Sequence, residues 1–136
     1  MVYTICIGSN EQRRDNLALA RRRLKELFPD ISFAEEEETK PLCCKRTAPF
    51  TNQVARFRSD CPTEEVNALL KAIEREAGRK PEEKVREIIR LDIDLLACDT
   101  TVFKPEDMQR EYVRRGLSQL ERGAKIRNKK GMMING

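Results

Sequence analysis

Leu91-Asp92-Ile93-Asp94-Leu95-Leu96 is the stretch on which the fold turns. Strand side chains alternate faces, so Leu91, Ile93 and Leu95 are expected in a core while Asp92 and Asp94 share the opposite face. A strand over residues 90–98 is therefore expected, and the chain is read outward from it. Before it lies a helix whose stripe is Val66, Leu69, Leu70, Ile73 and Ala77. Pro62 suits its first turn, with Asp60 or Cys61 ahead of it, and Gly78 suits the position just past its end. Residues 79–89 are dense in charge and are expected to form a mobile connector. Further back, Ala55 and Phe57 alternate with Val54, Arg56 and Arg58, the pattern of a half-exposed strand. Residues 40–51 carry two prolines and no period, which reads as a loop. Residues 31–39 are expected as one strand, its second half (Glu35 to Glu38) solvated or at an edge. Leu17, Ala20, Leu24, Leu27 and Phe28 mark a first helix that Pro29 stops. Val2 to Ile7 form a first strand that Gly8-Ser9-Asn10 ends. Beyond the acidic pair, Pro105 opens a last helix through about Leu120.

The order is β-α-β-β-α-β with an added C-terminal helix, an α+β, ferredoxin-like sandwich with a split βαβ core. A single domain is expected over residues 1–122, followed by a basic, disordered tail over 123–136. Such a fold hosts many activities, so function has to come from particular residues.

The 136 residues hold 27 Lys plus Arg against 23 Asp plus Glu, a net charge of +4 with the signs interleaved. That balance admits a phosphate-bearing ligand without announcing nucleic acid. The sequence contains no histidine, which removes imidazole bases, Cys/His zinc sites and the Ser-His-Asp triad. Five cysteines stand at 6, 43, 44, 61 and 98, none in a C-x-x-C pair. A reduced, cytoplasmic protein is expected, with Cys43-Cys44 incidental. No run approaches the ~18 apolar residues of a membrane span, and no basic leader opens the chain, so neither membrane nor secretory signal is expected.

Asp92 and Asp94 lie ~7 Å apart along a strand, and a hard dication between them would relieve their repulsion. Magnesium suits such a pair, because it accepts one or two carboxylates and takes phosphate oxygens for the rest. The plain alternative is a solvent-facing strand that happens to carry two acids. Arg90, two residues earlier, would share their face in an unbroken strand. Two roles are open to it: neutralising the acids, or binding a phosphate beside the metal.

Five motifs occur in one order: Ile7-Gly8-Ser9-Asn10, Glu38-Thr39-Lys40-Pro41-Leu42, Phe50-Thr51-Asn52, Glu74 with Gly78-Arg79, and Leu91 to Leu96. Over residues 3–117 this set resembles the 6-hydroxymethyl-7,8-dihydropterin pyrophosphokinases of folate biosynthesis, whose fold is the one reached above. The resemblance implies transfer of the terminal pyrophosphate of ATP to the hydroxymethyl group of a reduced pterin, releasing AMP. It implies two Mg2+ ions held by Asp92 and Asp94, and Arg79 on phosphate oxygens. It implies Phe50 and Tyr112 stacking on the pterin, Asn52 hydrogen-bonding it, and Thr39 and Leu42 lining the pocket. Core packing is the plain alternative for the two aromatic rings.

The chain also departs from that family's pattern. Where the family reads Trp-Gly-Pro-Arg-Thr, this sequence has Arg86-Glu87-Ile88-Ile89-Arg90, so Ile89 stands at the catalytic arginine's position and Arg90 is one residue late. Arg79, Arg86 and Arg90 are the candidate catalytic cations. Glu106 follows Pro105 where the family has a histidine, and Glu111 stands near a family arginine. A catalytically degenerate relative that binds pterin or nucleotide without turnover is the alternative. An RNA-binding module, suggested by Arg21-Arg22-Arg23, Arg56, Arg58 and the basic tail, ranks last, because only Phe57 offers an aromatic on the central strands. The expected partners are pterin and ATP, with no nucleic acid, and a monomer is expected.

Overall fold

The computed structural model describes residues 1–41 and 45–135, with side chains through Gly123. The elements are β1 (Val2–Ser9), α1 (Arg13–Leu27), β2 (Ser32–Phe33), β3 (Glu37–Thr39), β4 (Phe50–Arg58), α2 (Thr63–Glu76), α3 (Pro81–Val85), β5 (Asp92–Cys98), β6 (Thr101–Val102), α4 (Pro105–Met108) and α5 (Glu111–Asn135). One antiparallel sheet runs in the order β2-β4-β1-β5-β6, with β3 also paired to β4. The expected α+β, ferredoxin-like arrangement is present.

The alternation read from the sequence places two buried clusters, one on each face of the sheet. Tyr3, Ile5, Ile7, Ala55, Phe57, Ile93 and Leu95 meet Leu17 and Leu24 of α1 and Val66, Leu70 and Ile73 of α2. Burying each large apolar side chain there stabilises the fold by roughly 1.5–3 kcal/mol. On the other face Cys6, Val54 and Leu96 pack against Val113, Leu117 and Leu120 of α5. A bulge at Thr4/Ile5 leaves Leu96 as the extra residue in β5, and so returns Cys98 to the first cluster beside Leu95.

Gly116 lets α5 lie close against the sheet. A Cβ there would lie 2.8 Å from Val54 Cβ and Cγ2 and 3.4 Å from Ala34 Cβ. Gly116→Val is expected to destabilise the protein by roughly 1–3 kcal/mol, because overpacking outweighs the gain in helix propensity. A lowered urea midpoint would show it; an unchanged midpoint would mean α5 can slide off the sheet at no cost.

Four sequence expectations need correction. Residues 31–39 form two short strands rather than one, whose registers on β4 differ by one residue. Side chains replace the missing ladder bonds: Gln53 Nε2 donates to the Ala34 carbonyl at 2.8 Å, and the Glu35 N–H donates to Gln119 Oε1 at 2.8 Å. The glutamates beside them are paired to both neighbouring helices, Glu36 with Arg21 and Glu38 with Arg13 of α1, and Glu37 with Arg115 of α5. Second, the connector carries a short helix, α3, where Glu83 pairs with Arg90. Third, β6 turns the chain back beside β5, a hairpin the sequence did not announce. Fourth, the helix expected from Pro105 through about Leu120 is divided into α4 and α5.

Candidate active site

Register assembles the site. Asp92 lies opposite Gly8, and Asn52 lies opposite Gly8 from the other side, giving a row Asp92-Gly8-Asn52 across β5, β1 and β4. The next row on that face is Asp94-Cys6-Val54. Gly8 keeps the floor open, because a Cβ there would meet Asn52 Oδ1 at 3.2 Å. From Val113 onward α5 covers the far part of this face. The near part is a cavity of about 520 Å³, within the usual size range of small-molecule pockets.

Six of the residues singled out from the sequence line that cavity: Thr39, Phe50, Asn52, Asp92, Asp94 and Tyr112. Asn52 Nδ2 donates to Thr39 Oγ1 at 2.8 Å, which orients the amide. Arg79 stands beside Asp92 and does not itself line the cavity. Its Nη1 donates to Asp92 Oδ1 at 3.0 Å and to Glu74 Oε1 at 2.8 Å. Glu74 is 3% exposed, and its second oxygen accepts the N–H of Ile93 at 2.7 Å, between the two aspartates. This carboxylate therefore fastens α2 to the middle of the acidic strand.

Arg90 does not share the acidic face. β5 begins at Asp92, so residue 90 precedes the strand, and its guanidinium turns to Glu83 at 3.0 Å. Arg86 is exposed at the end of α3 and does not line the cavity. Ile89 is clamped by Asn10, donating its N–H to Asn10 Oδ1 at 2.7 Å and accepting the Asn10 N–H at 2.9 Å. Asn10 Nδ2 also holds the carbonyl of Glu87 at 2.8 Å. Leu42, with Cys43 and Cys44, lies outside the described residues.

Sequence reasoning missed two cations. Lys104 Nζ stands 3.1 Å from Asp94 Oδ1, and Arg110, at the cavity wall, bonds Asp107 Oδ1 at 3.0 Å. Arg110 had a signal, since it stands two residues before Tyr112. Lys104 had none, because only the unforeseen β5–β6 hairpin returns the chain to Asp94.

The electrostatics follow from burial beside like charge. Burial raises the Asp94 pKa above the ordinary carboxylate range, and the neighbouring Asp92 raises it further. Burial and the same acids push the Cys6 thiol up to about 12, so it stays protonated at neutral pH. Tyr112 is likewise pushed up to about 12, chiefly by burial, and presents a neutral ring and hydroxyl. Two close carboxylates, one of them raised by the other, fit a hard divalent cation. No group of three or more candidate metal ligands occurs among the described residues. The pair thus offers a cation two carboxylates and no third candidate protein ligand among the described residues.

Among the described residues no helix is long and apolar enough to cross a membrane. A family model described as 7,8-dihydro-6-hydroxymethylpterin-pyrophosphokinase (HPPK) matches residues 4–122. That span includes every residue of the cavity. No curated protein matches the chain.

Proposed function

Because the chain belongs to the 7,8-dihydro-6-hydroxymethylpterin-pyrophosphokinase family, we propose that it transfers the pyrophosphoryl group of ATP to the hydroxymethyl group of 6-hydroxymethyl-7,8-dihydropterin, giving the pterin diphosphate and AMP. One observation carries this reading: the acid pair, the amide and both aromatic rings face a single cavity. Phe50 and Tyr112 offer the flat, apolar surfaces that a bicyclic ring prefers. Asn52, held by Thr39, supplies a donor and an acceptor to the pterin edge.

Asp92 and Asp94 would hold magnesium, which when bound neutralises the charge on the polyphosphate. The chain's own part is positioning. Arg79, anchored by Glu74, places positive charge beside Asp92 where phosphate oxygens would lie. Arg110 contributes a second guanidinium from the cavity wall. In-line attack of the pterin hydroxyl on the β-phosphorus asks for alignment and charge stabilisation, so the lack of histidine does not stand against it.

With ATP, Mg2+ and 6-hydroxymethyl-7,8-dihydropterin, AMP is expected to form, and omission of the pterin is expected to abolish it. Folded protein that releases no pterin-dependent AMP at saturating magnesium would overturn the reading. Ile89, at the position of the catalytic arginine, favours a second one, a binder without turnover. Calorimetric heat on adding pterin, with no AMP formed, would select it.

A further inference from the structure

The charge around the cavity does not balance for a polyphosphate. Asp92, Asp94, Asp107 and Glu111 line it, against Lys40 and Arg110. A nucleotide carrying several negative charges needs further cations, and two stand at the acid pair without lining the cavity itself, Arg79 on Asp92 and Lys104 on Asp94. They are held differently. Arg79 is bound to Asp92 and also to Glu74, a carboxylate buried to 4% of its side-chain surface, which anchors it. Lys104 has Asp94 as its one ion-pair partner among the described residues, and its side chain is 45% exposed. Its backbone is fixed all the same. The N–H groups of Phe103 and Lys104 both reach the carbonyl of Leu96, and the Lys104 carbonyl accepts from Met108, the last residue of α4. A compact ammonium on a flexible stem, standing on a fixed backbone, can change partner without moving the fold.

We propose that Lys104 is a nucleotide-binding residue of this chain, whose ammonium exchanges Asp94 for an ATP phosphate oxygen and thereby frees that carboxylate as the nucleotide arrives. The proposal rests on the ATP-dependent reading above and adds to it a residue, a direction of movement and a specificity for phosphate over pterin. Before binding, Lys104 and Arg79 offset the two acids; afterwards the same cations face the phosphates.

The test is calorimetric titration of the 136-residue chain and its K104M and K104R variants with a non-hydrolysable ATP analogue in magnesium buffer. Pterin binding is followed separately by fluorescence. K104M is expected to weaken the analogue about tenfold or more, the usual loss for a charge-assisted contact. Pterin affinity should stay within about twofold, and K104R should recover most of the nucleotide affinity. K104M that binds the analogue as tightly as the unmodified protein, or more tightly, would overturn the proposal, because Lys104 would then be only a competitor for Asp94. The turnover assay separates this outcome from failure of the parent reading. No AMP, with nucleotide heat still lost in K104M, removes the transfer reaction and keeps Lys104; AMP formed with unchanged K104M affinity does the reverse.

Discussion

Asp94→Asn is expected to lower pterin-dependent AMP formation by ~10²–10³-fold or more, the usual consequence of removing one charge-stabilising group from an active site. The fold is expected to survive, and the pH dependence of stability gives the reason. Asp94 has a raised pKa in the folded protein, through burial first and Asp92 second. Between its unfolded value of about 3.9 and the higher folded value, the native state binds more protons than the unfolded state. Stability from this group is therefore complete below the unfolded pKa and is lost as pH rises through the folded one. Asparagine cannot ionise, so the variant should gain on the unmodified protein as pH rises from about 3 to 7, even though it forgoes the exposed Lys104 pair. Urea unfolding at both pH values measures the gap. A variant that keeps activity within a few-fold would show that Asp94 is not a working ligand; a gap that narrows with rising pH would show that the strain was misassigned.

That strain was visible in the sequence only in part. Alternation in Leu91–Leu96 placed the two aspartates on one face, and period-2 and period-3.6 patterns placed the main strands and helices that flank them. Both depend on short-range chemistry. Register across strands does not, so the Asp92-Gly8-Asn52 row could not be read off one strand at a time. Arg90 was put on the wrong face because the period was extended two residues past the point where the strand begins. The same gap hid Lys104, which the β5–β6 hairpin brings back to Asp94. The run Glu35-Glu36-Glu37-Glu38 does lie at a solvated edge, in and beside β3, which pairs only with β4 among the described residues. What the sequence does not announce is that three of its members meet arginines from the helices on the two faces of the sheet. Each such exposed pair contributes only about 0–1 kcal/mol, so their value is more in holding the β3 edge in place than in net stability. Arg21 and Arg23 of the basic triplet are likewise bound to glutamates, which weakens the case for an RNA surface.

Glu74→Ala should give the largest loss of stability among single changes near the site, roughly 2–4 kcal/mol. Its carboxylate does two things at once. One oxygen accepts the N–H of Ile93, a residue with no exposed surface, and the other holds Arg79. Removing it leaves a buried donor with no acceptor, which alone costs about 1–3 kcal/mol. It also frees a guanidinium that still faces Asp92. Breaking a fully buried pair costs about 3–5 kcal/mol, but Arg79 and Lys71 both reach water, so that part is discounted to its lower end or below. Glu74→Gln keeps an acceptor for Ile93 and loses the charge, so it should fall between the two proteins. Urea midpoints with an unchanged slope would order them native, Gln, Ala. The kinetic consequence separates fastening from mere packing. Loss of the anchor lets Arg79 settle onto Asp92 alone, which should lower turnover in Glu74→Gln although that variant remains folded at the assay temperature. Full turnover in folded Glu74→Gln would mean that Arg79 finds its place without help, and that the buried carboxylate serves the joint between α2 and β5 and nothing beyond it.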